Sequence, residues 1–213
     1  MKILTGDEVR KMEPNISEDV VGSLYAPSAG IISPWELTLA MIETAVRNGT
    51  NLQLEAPVTA IKKKDGIFHV TTPKGEFTAS IIINAAGNHA ENIHEMIGVK
   101  EFTIQPCRGE YYLLDKSEGT RVGSVVFQCP SERGKGILVV HGNLIVGPDS
   151  VNVDDPDDTS NTAAGLDYVR KMATLSVPSI SFRDNIRNFA GIRANHSGDD
   201  FLIGESKTVE GFY

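Results

Sequence analysis

The Asn-Ala-Ala-Gly sequence at residues 84–87 is the stretch of this 213-residue chain best suited to approach a ligand, because its side chains are small. Three isoleucines at residues 81–83 precede it and predict a strand buried on both faces of a parallel sheet. Asn88 and Glu91 have the spacing of an N-cap and its N3 partner, so a helix should follow. Ligands in open α/β sheets bind at such strand ends. The alternative is a tight turn that contacts no ligand.

Charge and composition argue against several kinds of partner. The net charge of −8 and the lack of a basic stripe argue against binding to nucleic acid. Cys107 and Cys129 lack the spacing of a metal site or a disulfide framework, which favours a reducing compartment. No apolar run reaches the roughly 20 residues of a membrane helix, and no signal peptide is recognisable. We therefore expect a cytoplasmic protein.

The helix predicted to begin after Ser33 has the clearest local signals. Ser33 is the expected N-cap, Pro34 occupies the first turn, and Glu36 completes a capping box. Gly49 supplies the C-terminal stop. One face, predicted to be buried, carries Leu37, Ala40, Met41 and Thr44. Trp35 lies in the first turn and is expected at the edge of the core.

A β-meander is predicted between this helix and residues 84–87. The segments 58–63 and 67–72 should pair across Asp65-Gly66, which has the sequence of a two-residue type I′ turn. Pro73, Lys74 and Gly75 turn the chain again. Residues 1–98 are therefore predicted to form the latter part of a dinucleotide-binding α/β domain.

Beyond Gly98 the sequence pattern changes to short strands. Candidate strands cover residues 102–105, 110–114, 122–128, 137–141 and 144–147. A helix is predicted over residues 161–174, followed by strands over 185–194 and 201–204. Residues 99–213 are therefore predicted to form an α+β domain with a mostly antiparallel sheet and flanking helices.

Several motifs, in this order along the chain, resemble a superfamily of flavoproteins. The meander and residues 84–87 resemble the second half of the FAD domain in glutathione-reductase-type flavoproteins. Residues 189–193 (Phe-Ala-Gly-Ile-Arg) and 200–204 (Asp-Phe-Leu-Ile-Gly) resemble a Gly-x-Arg-Pro and Asp-x-x-x-Ile-Gly pattern of the D-amino-acid-oxidase-like branch. Residues 25–34 and 106–112 resemble FAD-dependent glycerol-3-phosphate dehydrogenases and L-2-hydroxyglutarate oxidases. Together these motifs cover nearly the whole chain.

The sequence departs from that pattern in two places. Ala194 stands where the pattern usually has proline, and no Gly-x-Gly-x-x-Gly sequence is present to seat the FAD pyrophosphate. We therefore expect a piece of a longer enzyme, namely a substrate domain with a partial Rossmann-like FAD-binding domain. Its expected partners are a small anionic substrate and the remainder of the FAD domain. Alone it should bind FAD weakly or not at all, and membrane association of the full enzyme stays open.

The resemblance also implies which residues would contact the cofactor. Ala85, Ala86 and Gly87 would approach the FAD, and Val58 would lie near its adenine. Gly191, in the Gly-x-Arg motif, would lie close to the cofactor as well. These roles are carried over from the resembled family.

Two arginines are candidates for holding an anionic substrate. The resemblance implies that a C–H of a hydroxy substrate gives hydride to the flavin, and such a substrate needs a fixed cation when it is anionic. Arg193 is the first candidate, because a guanidinium can hold a carboxylate or phosphate with two parallel hydrogen bonds. Its alternative role is a surface ion pair. Arg108 is the second candidate, and its alternative is a solvated arginine at a strand end.

A histidine is the simplest candidate for the base that removes the hydroxyl proton. His141, at a predicted hairpin, is our choice, and His196 follows Arg193 in a loop. Either histidine could instead have a structural or exposed role. Tyr111 and Tyr112 alternate across their strand, so only one of them can face the active site.

Three functions are compatible with the sequence. The preferred one is part of an FAD-dependent glycerol-3-phosphate dehydrogenase. The second is an L-2-hydroxyglutarate oxidase, or another 2-hydroxy- or amino-acid oxidase of the same fold. The third is a non-catalytic binding module, which the missing glycine loop favours if Met1 is the native start and which the ordered cofactor-domain elements oppose.

Overall fold

A computed structural model of the chain describes residues 1–130, 136–198 and 201–213. Its α-helices are α1 (Gly6–Met12), α2 (Pro34–Arg47), α3 (Ala90–Glu95) and α4 (Ala163–Ser176). Its strands are β1 (Lys2–Thr5), β2 (Gly22–Tyr25), β3 (Ala60–Lys64), β4 (Ile67–Thr72), β5 (Gly75–Ala79), β6 (Ile104–Leu114), β7 (Val126–Phe127), β8 (Leu138–Val140), β9 (Ile145–Gly147), β10 (Val151–Asn152) and β11 (Asn185–His196). Short 3₁₀ turns lie at Gly87–His89, Lys116–Glu118 and Phe182–Asp184.

The largest sheet is built around the long antiparallel pair β6 and β11. Their register places Arg193 opposite Cys107 and Gly191 opposite Gly109. The other edge of β6 pairs first with β10 and then with β9, from which the sheet continues to β8 and β7. The sequence predicted two separate strands here, over residues 102–105 and 110–114. That division is wrong, because β6 is one continuous strand that pairs with β11 along nearly its whole length.

Helix α4 covers one face of this sheet and creates the larger core. Thr162 caps the helix, with its hydroxyl accepting from Gly165 N at 3.0 Å. Val169 and Ala173 are fully buried against the sheet, as the predicted helical spacing requires. The aliphatic residues that complete this core include Val9, Ile16, Leu114, Val139, Leu144 and Val146.

A smaller core lies beneath the meander β3–β4–β5. Ile61, Phe68 and Phe212 form it. Asp65 and Gly66 have φ values of +52° and +80°, which confirms the predicted turn with both central residues in the left-handed region. Each core draws residues from both sides of residue 98, so the proposed division into residues 1–98 and 99–213 stays a prediction.

Helix α2 and the isoleucine run are exposed, contrary to the predicted burial. The cap is as expected, because Ser33 Oγ accepts from Glu36 N at 3.3 Å, yet α2 has no buried residue and Trp35 is 75% exposed. Ile83 is 77% exposed, and Ile82 forms only an isolated parallel bridge with Phe212. A strand buried in a sheet needs paired strands at its edges and packing on both faces. Among the described residues, the isoleucines at residues 81–83 have only one short paired segment, at residues 211–213.

Candidate active site

Residues 84–87, here called the small-residue corner, open onto a cavity of about 1240 Å³ that Asn84 and Gly87 help to line. Ala85, Ala86 and Gly87 are exposed, and Gly87 has a φ of +58° with open space where a Cβ would lie. The predicted N-cap at Asn88 is wrong, because a 3₁₀ turn over Gly87–His89 leads into α3 instead. Residues that line the cavity include Ile83, Gly87, Phe102, Ala194, His196 and Tyr213.

The end of the chain forms one wall of this cavity by pairing with the isoleucine run. Ile82 N donates to Gly211 O at 2.9 Å, and Tyr213 N donates to Ile82 O at 2.9 Å. Asn84 N then donates to Tyr213 O at 2.6 Å, while its side-chain amide donates to Ala90 O at 2.8 Å. Asn84 therefore fixes the corner to both the C-terminal segment and the start of α3.

Glu101 holds the same C-terminal segment in place through hydrogen bonds to residues 206–208. Its carboxylate accepts from Ser206 Oγ at 2.7 Å, from Thr208 Oγ1 at 2.9 Å and from Lys207 N at 3.1 Å. These hydrogen bonds, Ser206 first, lower the pKa of Glu101 to about 2, with a further contribution from the nearby His94.

The lowered pKa of Glu101 predicts a pH-dependent stability. Because the folded-state pKa of Glu101 lies below the ordinary glutamate pKa of 4.5, the stabilisation should be complete above pH 4.5 and lost as the pH falls through about 2. We expect Glu101→Gln to be less stable than the unsubstituted chain at neutral pH, with the difference shrinking in that window. Denaturant unfolding at a series of pH values measures it, with Glu95→Gln as an exposed control. A difference independent of pH would contradict this assignment.

Arg193 lies on the face of the sheet opposite α4. It is exposed, its Nη2 donates to Asp149 O at 3.0 Å, and the same nitrogen lies 3.6 Å from Cys107 Sγ. Gly191 is the next residue of β11 on that face, and space where its Cβ would lie is open. Among the described residues these are the only side-chain hydrogen bonds of Arg193, so its Nη1 and Nε can bind a ligand.

Tyr111 is the tyrosine on the same face as Arg193. Its ring stacks on Phe189, with centroids 4.8 Å apart and planes 5° apart. Tyr112 points to the α4 face, where it packs edge-on against Phe182 at 4.9 Å. Burial raises the pKa of Tyr111, and nearby Arg193 partly opposes this shift. Tyr111 is therefore a neutral hydrogen-bond donor at physiological pH.

Arg108 lies on the α4 face, away from Arg193. It is buried and pairs with Asp158 and with Glu110, the latter at 3.4 Å, while its Nη1 also donates to Ser160 Oγ at 2.9 Å. The solvated alternative is therefore wrong. The predicted role of Arg108 in binding substrate next to Arg193 is also not supported, because side-chain alternation directs Arg108 to the other face of the sheet.

Sequence analysis missed Glu110, which anchors α4. Its side chain is fully buried and accepts from Thr162 N at 2.6 Å and from Thr162 Oγ1 at 2.8 Å. The available signal was the Arg-Gly-Glu spacing, because residues two apart on a strand share a face and Arg108 can pair with Glu110.

His141 is exposed in the turn after β8, at the other end of the sheet from Arg193. Its neighbour Val140 pairs with Ile145, which lies opposite Leu113 on β6. Leu113 and Cys107 are six positions apart on β6, which is about 20 Å along an extended strand. The proposed base at His141 is therefore wrong, because the hairpin directs the chain away from Arg193.

His196 is three residues after Arg193 and lines the same cavity as Gly87, although alternation along β11 directs its side chain to the face opposite Arg193. It ends β11 and lines the cavity, and its Nδ1 accepts from Gly198 N at 2.8 Å. Val58 is half-buried against the meander core, so its predicted contact with adenine stays a prediction. Asp200, part of the resembled motif, lies outside the described residues.

Comparison with known proteins identifies the family. The FAD dependent oxidoreductase family (DAO) matches residues 1–213. This chain belongs to that family. The predicted resemblance and the mixed fold class are thereby confirmed.

Its relatives include enzymes of glycerol 3-phosphate and L-2-hydroxyglutarate. The chain is 43% identical over 213 residues to a glycerol 3-phosphate dehydrogenase of Caloramator mitchellensis, covering 99% of this chain and 44% of that protein. It is 32% identical over 156 residues to an L-2-hydroxyglutarate dehydrogenase of Escherichia coli K12, covering 70% and 36%. A solved structure of L-alpha-glycerophosphate oxidase from Mycoplasma pneumoniae with FAD bound has a TM-score of 0.92 at 26% identity, covering 99% and 57%. The chain thus spans about half the length of such relatives.

The residues at the corner fit the cofactor of this FAD-dependent family. The cavity has open glycines at Gly87 and Gly204, where a Cβ would meet nothing, and an apolar wall that includes Ile83 and Phe102. Such a site can accept a flat ring system against backbone. Across the described residues there is no cluster of potential metal ligands, and none of their helices is long and apolar enough to cross a membrane.

Proposed function

We propose that this chain carries the substrate-binding face of an FAD-dependent glycerol-3-phosphate dehydrogenase. The observation that supports it is the convergence of two features at one end of β11. Arg193, a cation that makes no ion pair with the described residues, is followed directly by Ala194, Asn195 and His196, which line the cavity at Gly87. Asn195, on the same face of β11 as Arg193, connects the cation to the cavity, so a ligand that extends along this end of the strand would contact both.

The proposed roles follow from the chemistry of these side chains. FAD, when bound, supplies the acceptor for a hydride from the substrate carbon. Arg193 binds the phosphate through Nη1 and Nε, since a guanidinium forms strong paired hydrogen bonds with such anions. His196, which lines the cavity from the other face of β11, is the candidate to accept the hydroxyl proton when the hydride leaves. Tyr111 donates a hydrogen bond on the same face.

L-2-hydroxyglutarate is the alternative substrate, because a carboxylate suits Arg193 as well as a phosphate does. We expect anaerobic mixing of the FAD-loaded enzyme, meaning the full-length protein of which this chain is proposed to be a part, with glycerol 3-phosphate to bleach the flavin absorbance faster than mixing with L-2-hydroxyglutarate at equal concentration. The opposite preference would establish the alternative. Bleaching by neither substrate, in a protein that retains FAD, would favour other hydroxy or amino acids or the non-catalytic module.

The remainder of an FAD domain is the proposed partner of two exposed apolar segments, helix α2 and residues 81–83. These segments carry large exposed side chains, including Trp35, Leu39, Met41, Ile81 and Ile83. Exposed apolar patches of this kind mark interaction surfaces. A segment with a glycine loop would both cover exposed apolar side chains and seat the pyrophosphate.

This arrangement predicts weak binding of FAD to the 213-residue chain alone. With excess FAD the chain should form no stoichiometric complex after gel filtration, because its sequence contains no glycine loop for the pyrophosphate. Adding the separately expressed N-terminal half of the Caloramator mitchellensis relative should produce a flavin-containing complex. Substituting Trp35→Glu should weaken that complex, whereas Leu175→Glu, on the exposed side of α4, should not. Tight FAD binding by the chain alone would contradict the prediction.

A further inference from the structure

The segment between β9 and β10 lies directly against β6, next to Arg193. A Cβ at Gly109 would lie 2.7 Å from Pro148 Cβ and 3.3 Å from Asp149 O, so the close approach depends on glycine at that position. In the same segment, Ser150 Oγ lies 3.1 Å from the Sγ of Cys107, a buried residue of β6. Residues 148–150, here called the β9–β10 loop, therefore have a fixed position on the sheet.

Asp149 connects this loop to both faces of the sheet. Its Oδ1 accepts from Glu110 N at 2.7 Å, and the residue is only 4% exposed. A Cβ at Gly165 would lie 2.8 Å from Asp149 Oδ2, which shows that the carboxylate packs at the start of α4. Its backbone carbonyl faces the other way and accepts from Arg193 Nη2 at 3.0 Å.

We propose that Asp149 is a positioning residue, which holds its own carbonyl where it orients Arg193 toward the anionic group of the substrate. This inference rests on the proposed function of Arg193. The side chain of Asp149 anchors the β9–β10 loop to the backbone of β6, and the loop in turn offers the carbonyl to Nη2.

A carbonyl partner suits this role better than a carboxylate would. A guanidinium has five N–H donors, and the carbonyl uses one of them without neutralising the charge. A carboxylate in the same place would compete with the anionic substrate for Arg193. Burial raises the pKa of Asp149, and the hydrogen bond from Glu110 N and the charges of Arg108 and Arg193 partly oppose this rise.

The proposal predicts different results for two substitutions of Asp149. Asp149→Asn keeps an oxygen that accepts from Glu110 N, so the KM for the anionic substrate should change less than about threefold. Asp149→Ala removes the anchor and should raise KM about tenfold, with kcat changed less than threefold. Ser150→Ala, in the same loop, serves as the matched control and should leave KM within about twofold. These kinetics are measured on the FAD-loaded enzyme.

A second readout does not depend on activity. In the ¹⁵N-labelled chain, the Nε–H signal of Arg193, assigned by its loss in Arg193→Lys, should shift in Asp149→Ala but stay in place in Asp149→Asn. A shift in Asp149→Ala without any activity toward hydroxy acids would keep the positioning role and reject the proposed function. An unshifted signal, or a KM effect of Asp149→Ala that adds fully to that of Arg193→Lys, would overturn the positioning role. If Asp149→Ala does not fold, an Asp149→Asn variant with an altered Arg193 signal would overturn it as well.

Discussion

Replacing Arg193 by alanine in the FAD-loaded enzyme is expected to raise the KM for glycerol 3-phosphate about 100-fold, with a smaller effect on kcat. The reason is that Nη1 and Nε of Arg193 have no other partner among the described residues and can form charge-assisted hydrogen bonds with the phosphate. A loss of about 2.8 kcal/mol of substrate binding corresponds to that factor. Initial rates over a range of substrate concentrations measure it.

Arg187→Ala is the matched control for this substitution. Arg187 lies on the same strand and pairs with Leu113, six residues of β6 away from the partner of Arg193. It is exposed as well. Its replacement should leave KM within about twofold. Equal effects of the two substitutions would remove Arg193 from the substrate site.

Replacing Glu110 by alanine is expected to destabilise the chain by about 3–5 kcal/mol, the range observed when one partner of a buried ion pair is removed. The substitution leaves buried Arg108 without one of its carboxylate partners and leaves Thr162 N without its acceptor at the start of α4. Val169 and Ala173 of α4 pack in the larger core. A less stable first turn of α4 should therefore also weaken the packing of this helix against the sheet.

Urea denaturation followed by far-UV circular dichroism measures this loss, provided that unfolding is two-state. Glu43→Ala on the exposed surface of α2 is the control, since its pair with Arg47 has an N–O distance of 3.9 Å in solvent. That control should cost no more than about 0.5 kcal/mol. A similar small cost for Glu110→Ala would show that the buried cluster does not stabilise α4.

Local signals in the sequence predicted local structure well. The cap at Ser33 and the turn at Asp65-Gly66 depend on residues within a few positions, so propensity and spacing were sufficient. Burial was predicted less well than local structure. Helix α2 and the isoleucines at residues 81–83 have the pattern of buried elements, but burial depends on neighbours that the described residues do not provide.

The candidate site was predicted only in part, because tertiary placement decides which residues meet. The Gly-x-Arg resemblance pointed to Arg193, which the structure places directly before the cavity-lining residues 194–196 of β11. His141 was mispredicted since the direction of a hairpin relative to β6 cannot be read from local spacing. Glu110 was overlooked because a fully buried carboxylate in a strand is rare unless it is paired, and its partner Thr162 is distant in sequence.

A crystal structure of the FAD-loaded enzyme with glycerol 3-phosphate tests the central claim most directly. The account predicts the flavin ring in the cavity beside Gly87 and the phosphate within hydrogen-bond distance of Arg193, whose Nη2 still donates to Asp149 O. A flavin bound elsewhere, or a substrate anion held by other cations while Arg193 faces solvent, would contradict it.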